Sequence, residues 1–295
     1  VLTAARPPWL AACAVAWLAG QATAAPAPDA AELERGAYLV AAGGCVSCHT
    51  ADRPDAAPLA GGRPLATPFG TFYAPNITPD PDTGIGGWSV DDVVRALRDG
   101  RRPDGQPYFP AFPYTAYAGL TEDDARAIGT WLLAQPPVRQ AVPAHDLPWF
   151  LQSRWVMLVW NFLNFTPGAF TPDPARDAAW NRGAYLVRHL GHCGECHTPR
   201  NWLGGIDRTR ELAGNPAGPE DAVVPNITPD AESGIGRWSR DELVMFLTMG
   251  MTPDGDFTGA SMGSVITDNT SRLTDDDRNA IATYLMSLPA LPAVR

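Results

Sequence analysis

The sequence predicts an all-α protein made of two tandem, loop-rich domains joined by an aromatic-rich connector. Three observations predict this. The second half restates the first, and apolar residues in each half recur at helical spacing. Pro (30) and Gly (28) together make about a fifth of the 295 residues, a content that goes with short helices and much irregular backbone.

The repeat sets the domain plan. "ERGAYLVAAGGCVSCHT" (34–50) matches "NRGAYLVRHLGHCGECHT" (181–198) with one residue inserted. "APNITPDPDTGIGGWS" (74–89) matches "VPNITPDAESGIGRWS" (224–239) at an offset of 150, and "LTEDDARAIGTWL" (120–132) matches "LTDDDRNAIATYL" (273–285) at 153. The domains are expected at 30–140 and 179–290, with the connector at 141–178.

Taken in order, residues 1–24 read as an export signal. Arg6 precedes an apolar stretch from Trp9 to Leu18, then small residues that suit cleavage. "LAAC" at 10–13 also resembles a lipoprotein acylation site at Cys13, but the apolar run before it is short and continues past it, so a removed leader is preferred. The first helix, "ELERGAYLVAAG", has helical spacing through Leu33, Ala37 and Val40 and runs into glycine. Ser89 and Ser239 open the next helix in each half, with Asp92 and Glu242 three residues on, a capping-box signature. Gly100 and Gly250 stop those helices. Thr121 and Thr274 open the last, again with an acid three residues along, Asp124 and Asp277. No strand is expected. In the connector, Trp149, Phe150, Trp155, Trp160, Phe162 and Phe165 are read as a clamp between the domains. A partner-docking or quinol-facing surface is the alternative.

The absence of lysine and a net charge of -10 argue against nucleic-acid binding and favour docking on a basic patch of a protein partner. Once the leader is removed, four cysteines remain, all in "CVSCH" and "CGECH". Two thiols at this spacing can add to the two vinyl groups of one haem, and the adjacent histidine then supplies the proximal nitrogen. A zinc site would need a further ligand in each repeat, and a redox dithiol would not need the histidine. The reading is two covalently bound haem c groups: one on Cys45 and Cys48 with His49 as metal ligand, one on Cys193 and Cys196 with His197.

Through "RGAYLV…HCGECHTPRN", "PNITPD…GIGxWS" and "FPAFPYTAYAGLTEDDARAIGTWL", the mature chain resembles the two-haem c-type cytochrome subunits of bacterial periplasmic alcohol, gluconate and aldehyde dehydrogenases. The resemblance implies class I cytochrome c domains, a periplasmic location, Trp88 and Trp238 bonding haem propionates, and Met262 as distal ligand of the second haem. It implies a donor dehydrogenase subunit and an acceptor cytochrome or oxidase as partners, with peripheral membrane association through them. Resembling chains read "PAMPY" where this one reads "PAFPY": Phe112 stands opposite Met262 and has no lone pair for iron. Three outcomes stay open for the first haem: a connector ligand (Met157 or His145), a water or open position, or an oxygen ligand. The function expected is electron relay from a dehydrogenase. The alternative is a haem enzyme acting on peroxide or a sulfur compound at the first haem.

Overall fold

The computed structural model describes residues 28–219 and 222–294. The expected leader and Cys13 lie outside them. The chain is mostly helical. Its first half contains α1 (Ala30–Ala42), the short α2 (Cys45–His49), α3 (Val90–Asp99), α4 (Tyr114–Tyr117) and α5 (Glu122–Leu133). The connector carries α6 (Trp155–Asn164). The second half contains α7 (Ala178–Tyr185), α8 (Gly194–His197), α9 (Arg240–Met249), α10 (Ala260–Asp268) and α11 (Asp275–Met286).

The first and last long helices of each half lie together, α1 on α5 and α7 on α11. A glycine makes each approach close enough. A side-chain carbon on Gly36 would fall 2.3 Å from the Ala127 carbonyl oxygen, and one on Gly183 would fall 2.0 Å from that of Ala280. The glycine of "RGAYLV" is therefore a packing requirement. Both capping boxes form, Ser89 with Asp92 and Ser239 with Glu242, and Gly100 and Gly250 end α3 and α9 in the left-handed conformation at φ 62 and 77.

Asp124 and Asp277 depart from the expected role. Thr121 and Thr274 cap α5 and α11, but neither carboxylate returns to its cap. Asp124 accepts from Arg35 of its own half and from the Tyr185 hydroxyl of the other, at 2.5 Å. Asp277 accepts from Arg182 of its own half, at 2.7 Å, and from Tyr38 of the other, at 2.5 Å. One continuous apolar core runs through both halves, from Leu39 and Val40 to Leu186, Val187 and Leu190.

The offsets between repeats have structural causes. The residue inserted before Cys193 is absorbed as one π-helical turn, Leu186–Leu190, continuing α7. The step from 150 to 153 falls between Met262 and Leu273, where α10 runs longer than α4 and a 3₁₀ turn, Thr270–Arg272, follows it. The first half also contains an unexpected hairpin, β1 (Pro64–Thr67) with β2 (Gly70–Tyr73), in the register Thr67↔Gly70 to Pro64↔Tyr73. Four-residue strands flanking Pro68 give too weak an alternation to be read from the sequence. The stretch Gly61–Asn76 advances 15 positions where Gly214–Asn226 advances 12, which leaves the second half no room for the hairpin.

The connector is only partly a clamp. On α6, Met157 and Trp160 face inward, against Phe72, Phe109, Tyr114 and Leu147. Trp160 donates to the Leu203 carbonyl at 2.8 Å, tying the connector to the second half, and Phe165 also packs on this cluster. Trp149, Phe150, Trp155 and Phe162 are exposed, Phe162 at 87 %, and pin nothing together.

Candidate metal centres

Each Cys-x-x-Cys-His cluster occupies a single helical turn. Residues three apart share a helix face, so α2 presents Cys45 and Cys48 on one side, and the turn Cys193–His197 does the same for Cys193 and Cys196. All four are free thiols. Burial, with Cys48 nearby, pushes Cys45 up to about 12, and burial beside Cys196 does the same to Cys193. Burial and then Glu195 push Cys196 up to about 11, and burial raises Cys48 against the pull of Arg63. These are the opposite of the depressed thiols that make reactive dithiols.

The histidines are held identically. His49 Nδ1 lies 2.8 Å from the Pro75 carbonyl oxygen, and His197 Nδ1 lies 2.8 Å from that of Pro225. A carbonyl only accepts, so Nδ1 carries the proton and Nε2 keeps its lone pair. Burial lowers both histidine pKa values, outweighing the carbonyl bond that raises them, so both rings are neutral near pH 7. A neutral imidazole with a free Nε2 and an Nδ1–H anchored on a carbonyl is the form that ligates metals.

The ring anchor is itself braced twice over. Gly61 N donates to the His49 carbonyl at 2.7 Å, and Gly214 N to that of His197 at 2.8 Å. Leu59 N donates to Thr50 Oγ1 and Leu212 N to Thr198 Oγ1, while the Leu59 and Leu212 carbonyls accept from Ile77 N and Ile227 N. Both leucines are buried and held at φ 64, a left-handed conformation unfavourable for a branched side chain. Sequence reasoning missed this brace. The threonine that follows each histidine was its one visible signal.

Asn76 and Asn226 organise the "PNITPD" loops. Asn76 accepts from Thr78 N and donates to the Val138 carbonyl at 2.7 Å; Asn226 accepts from Thr228 N and donates to that of Leu291 at 2.7 Å. Trp88 and Trp238 sit half-buried against the core, and Trp238 stands edge-on to Phe246 at 5.4 Å. Among the described residues neither indole N–H has a protein acceptor.

The distal segments differ. Phe112 lies just before α4, ringed by Tyr108, Tyr114 and Tyr117 at 5.2–6.4 Å between centroids. Met262 is half-buried in the first turn of α10, which opens on Ala260 at φ 50. Each distal segment also touches the other half's cluster: Thr115 of α4 donates to Glu195, and Ser47 of α2 to Asp268 of α10. Met157 is buried in the aromatic cluster already described. His145 Nδ1 accepts from Tyr73 N at 3.2 Å, so its proton sits on Nε2. In this tautomer it offers no free lone pair, unlike His49.

Twin sites of two thiols and one anchored imidazole, on an irregular helical scaffold, define a covalent haem protein, and the donor set fits haem c. No family model matches the chain. It is 44% identical over 270 residues to the diheme cytochrome c-type protein of Cereibacter sphaeroides, covering 88% of this chain and 87% of that one. The gluconate 2-dehydrogenase cytochrome c subunit of Pantoea cypripedii is 41% identical over 272 residues, and the cytochrome c subunit of the quinone alcohol dehydrogenase of Gluconacetobacter polyoxogenes 39% over 290. The chain covers 60% and 61% of those two subunits. The chain belongs to the dihaem c-type cytochromes.

Proposed function

We propose that the chain relays electrons from a periplasmic dehydrogenase to a downstream cytochrome or terminal oxidase. Haem iron supplies a reversible one-electron store whose potential the axial ligands set. Cys45 with Cys48, and Cys193 with Cys196, hold the two haems as thioethers. His49 and His197 give each a proximal nitrogen, oriented by Pro75 and Pro225. Met262 gives the second a thioether sulfur, a His/Met pair that raises the potential. Trp88 and Trp238 offer their unpaired indole N–H groups to the propionates. The first centre lacks a methionine from its own distal segment because Phe112 stands there. The two centres accordingly differ in potential, and the difference gives the relay a direction.

The observation that supports this reading best is the matched pair of histidine–proline carbonyl bonds, which leaves a ligating nitrogen unbonded beside two thiols twice in one chain. The kinship with dehydrogenase cytochrome subunits supports a dehydrogenase as donor. Among the described residues no helix is long and apolar enough to cross a membrane; peripheral membrane association through those partners is part of the proposal. Intact mass and visible absorption of protein exported from a host with a cytochrome assembly pathway test it. The expected mass is the processed chain plus two haems; the bare chain mass with no Soret band overturns it.

A further inference from the structure

The two attachment segments touch. His192, the counterpart of Gly44 and left-handed like it, places Nε2 3.3 Å from the Gly43 carbonyl oxygen, two residues before Cys45. The same oxygen accepts the Tyr117 hydroxyl at 2.8 Å, and the Tyr117 ring stands edge-on to His192 at 5.3 Å. The packing at Gly43 is tight: a side-chain carbon there would lie 3.1 Å from the Leu39 carbonyl oxygen. Asn269 Nδ2 fixes the neighbouring Ala42 carbonyl at 2.9 Å. His192 holds φ 40, a conformation that costs energy in a non-glycine residue and persists only where its surroundings over-determine it.

We propose that the His192–Gly43 hydrogen bond is the bridge through which the two redox centres exchange electrons, with His192 as its positioning residue. This rests on reading the two cysteine pairs as haem-attachment sites. The connected route runs from Cys45 along the Gly44 backbone to the Gly43 carbonyl, across to His192 Nε2, and through the His192 side chain and backbone to Cys193. One electron leaves one centre and enters the other; no covalent bond is made or broken and no proton moves. Its counterpart in the first repeat, Gly44, has no side chain, so a single side chain serves both directions. A path of bonds and one hydrogen bond couples two centres better than an equal span of non-bonded contacts.

The test is the rate of electron redistribution between the two haems after flash reduction of the holoprotein, with the two midpoint potentials measured alongside. Two variants are needed. His192→Asn tolerates the positive φ but is too short to reach Gly43, and His192→Phe keeps the ring against Tyr117 without a donor. In every variant that retains two haems, redistribution is expected to slow several-fold with both midpoints unchanged. His189→Asn, which alters a histidine bonded instead to the Ala116 carbonyl, is expected to keep the native rate. A native rate in either His192 variant overturns the bridge while leaving the haem assignment intact. Shifted midpoints overturn it in favour of a merely structural role. Fewer than two thioether-bound haems in the unaltered protein would instead overturn the assignment itself.

Discussion

The Tyr185 hydroxyl donates to the Asp124 carboxylate at 2.5 Å across the boundary between the two repeats, and Tyr38 donates to Asp277 at the same distance in the reverse direction. Each aspartate is buried and also bound by an arginine of its own half. Removing the aspartate leaves the tyrosine hydroxyl without its acceptor, while the more exposed arginine can return to water. Asp124→Ala and Asp277→Ala are each expected to cost about 2 kcal/mol, and Tyr185→Phe about 1.5 kcal/mol, measured by urea denaturation of the holoprotein.

Acid should weaken the same contact. Burial would raise the Asp277 carboxyl, but hydrogen bonds from Arg182 and Tyr38, with the Arg182 charge, outweigh it and hold the group below its ordinary 3.8. A carboxyl depressed in the folded state contributes stability that is full above the unfolded value and is lost as pH falls through the folded one. The urea midpoint should therefore drop as pH is lowered below about 4, and the drop should be smaller in Asp277→Asn.

Gly36→Ala and Gly183→Ala should each force the first and last long helices of a half apart, because the added carbon meets a backbone carbonyl that cannot give way. The expected loss is about 3 kcal/mol per site, read as a lower thermal midpoint. Gly87→Ala, with open space around it, should stay within about 0.5 kcal/mol of the native protein.

Phe112→Met should convert the first haem to His/Met ligation and raise its potential, seen by magnetic circular dichroism and redox titration. Met262→Ala should lower the potential of the second haem only. Met157 is packed as a core residue among Phe72, Phe109 and Trp160. Met157→Leu should accordingly leave both axial spectra unchanged and cost less than about 1.5 kcal/mol. A changed first-haem spectrum in Met157→Leu would make the connector a ligand donor.

Much of this architecture was legible because local rules and tertiary packing agree. Ser89, Ser239, Gly100 and Gly250 do what their positions in the chain demand, and the Cys-x-x-Cys-His spacing declares its chemistry. What escaped was decided at long range. Asp124 and Asp277 satisfy a local capping pattern, yet stronger arginine and tyrosine partners from elsewhere take their carboxylates. The connector aromatics look alike in sequence, but only the inward stripe of α6 finds a core, so Trp160 is buried while Trp155 and Phe162 face outward. The left-handed leucines could not be foreseen, since nothing in a leucine's neighbours announces positive φ.

The reciprocal tyrosine–aspartate bonds have a bearing on where this chain came from. A surface on which residue i reaches j and j's counterpart reaches back to i's is the self-complementary pattern of a symmetric homodimer. Each half carries both groups of the pair, so the two halves meet as two copies of one module would. The two copies differ where His192 of one stands for Gly44 of the other, and where Phe112 stands for Met262.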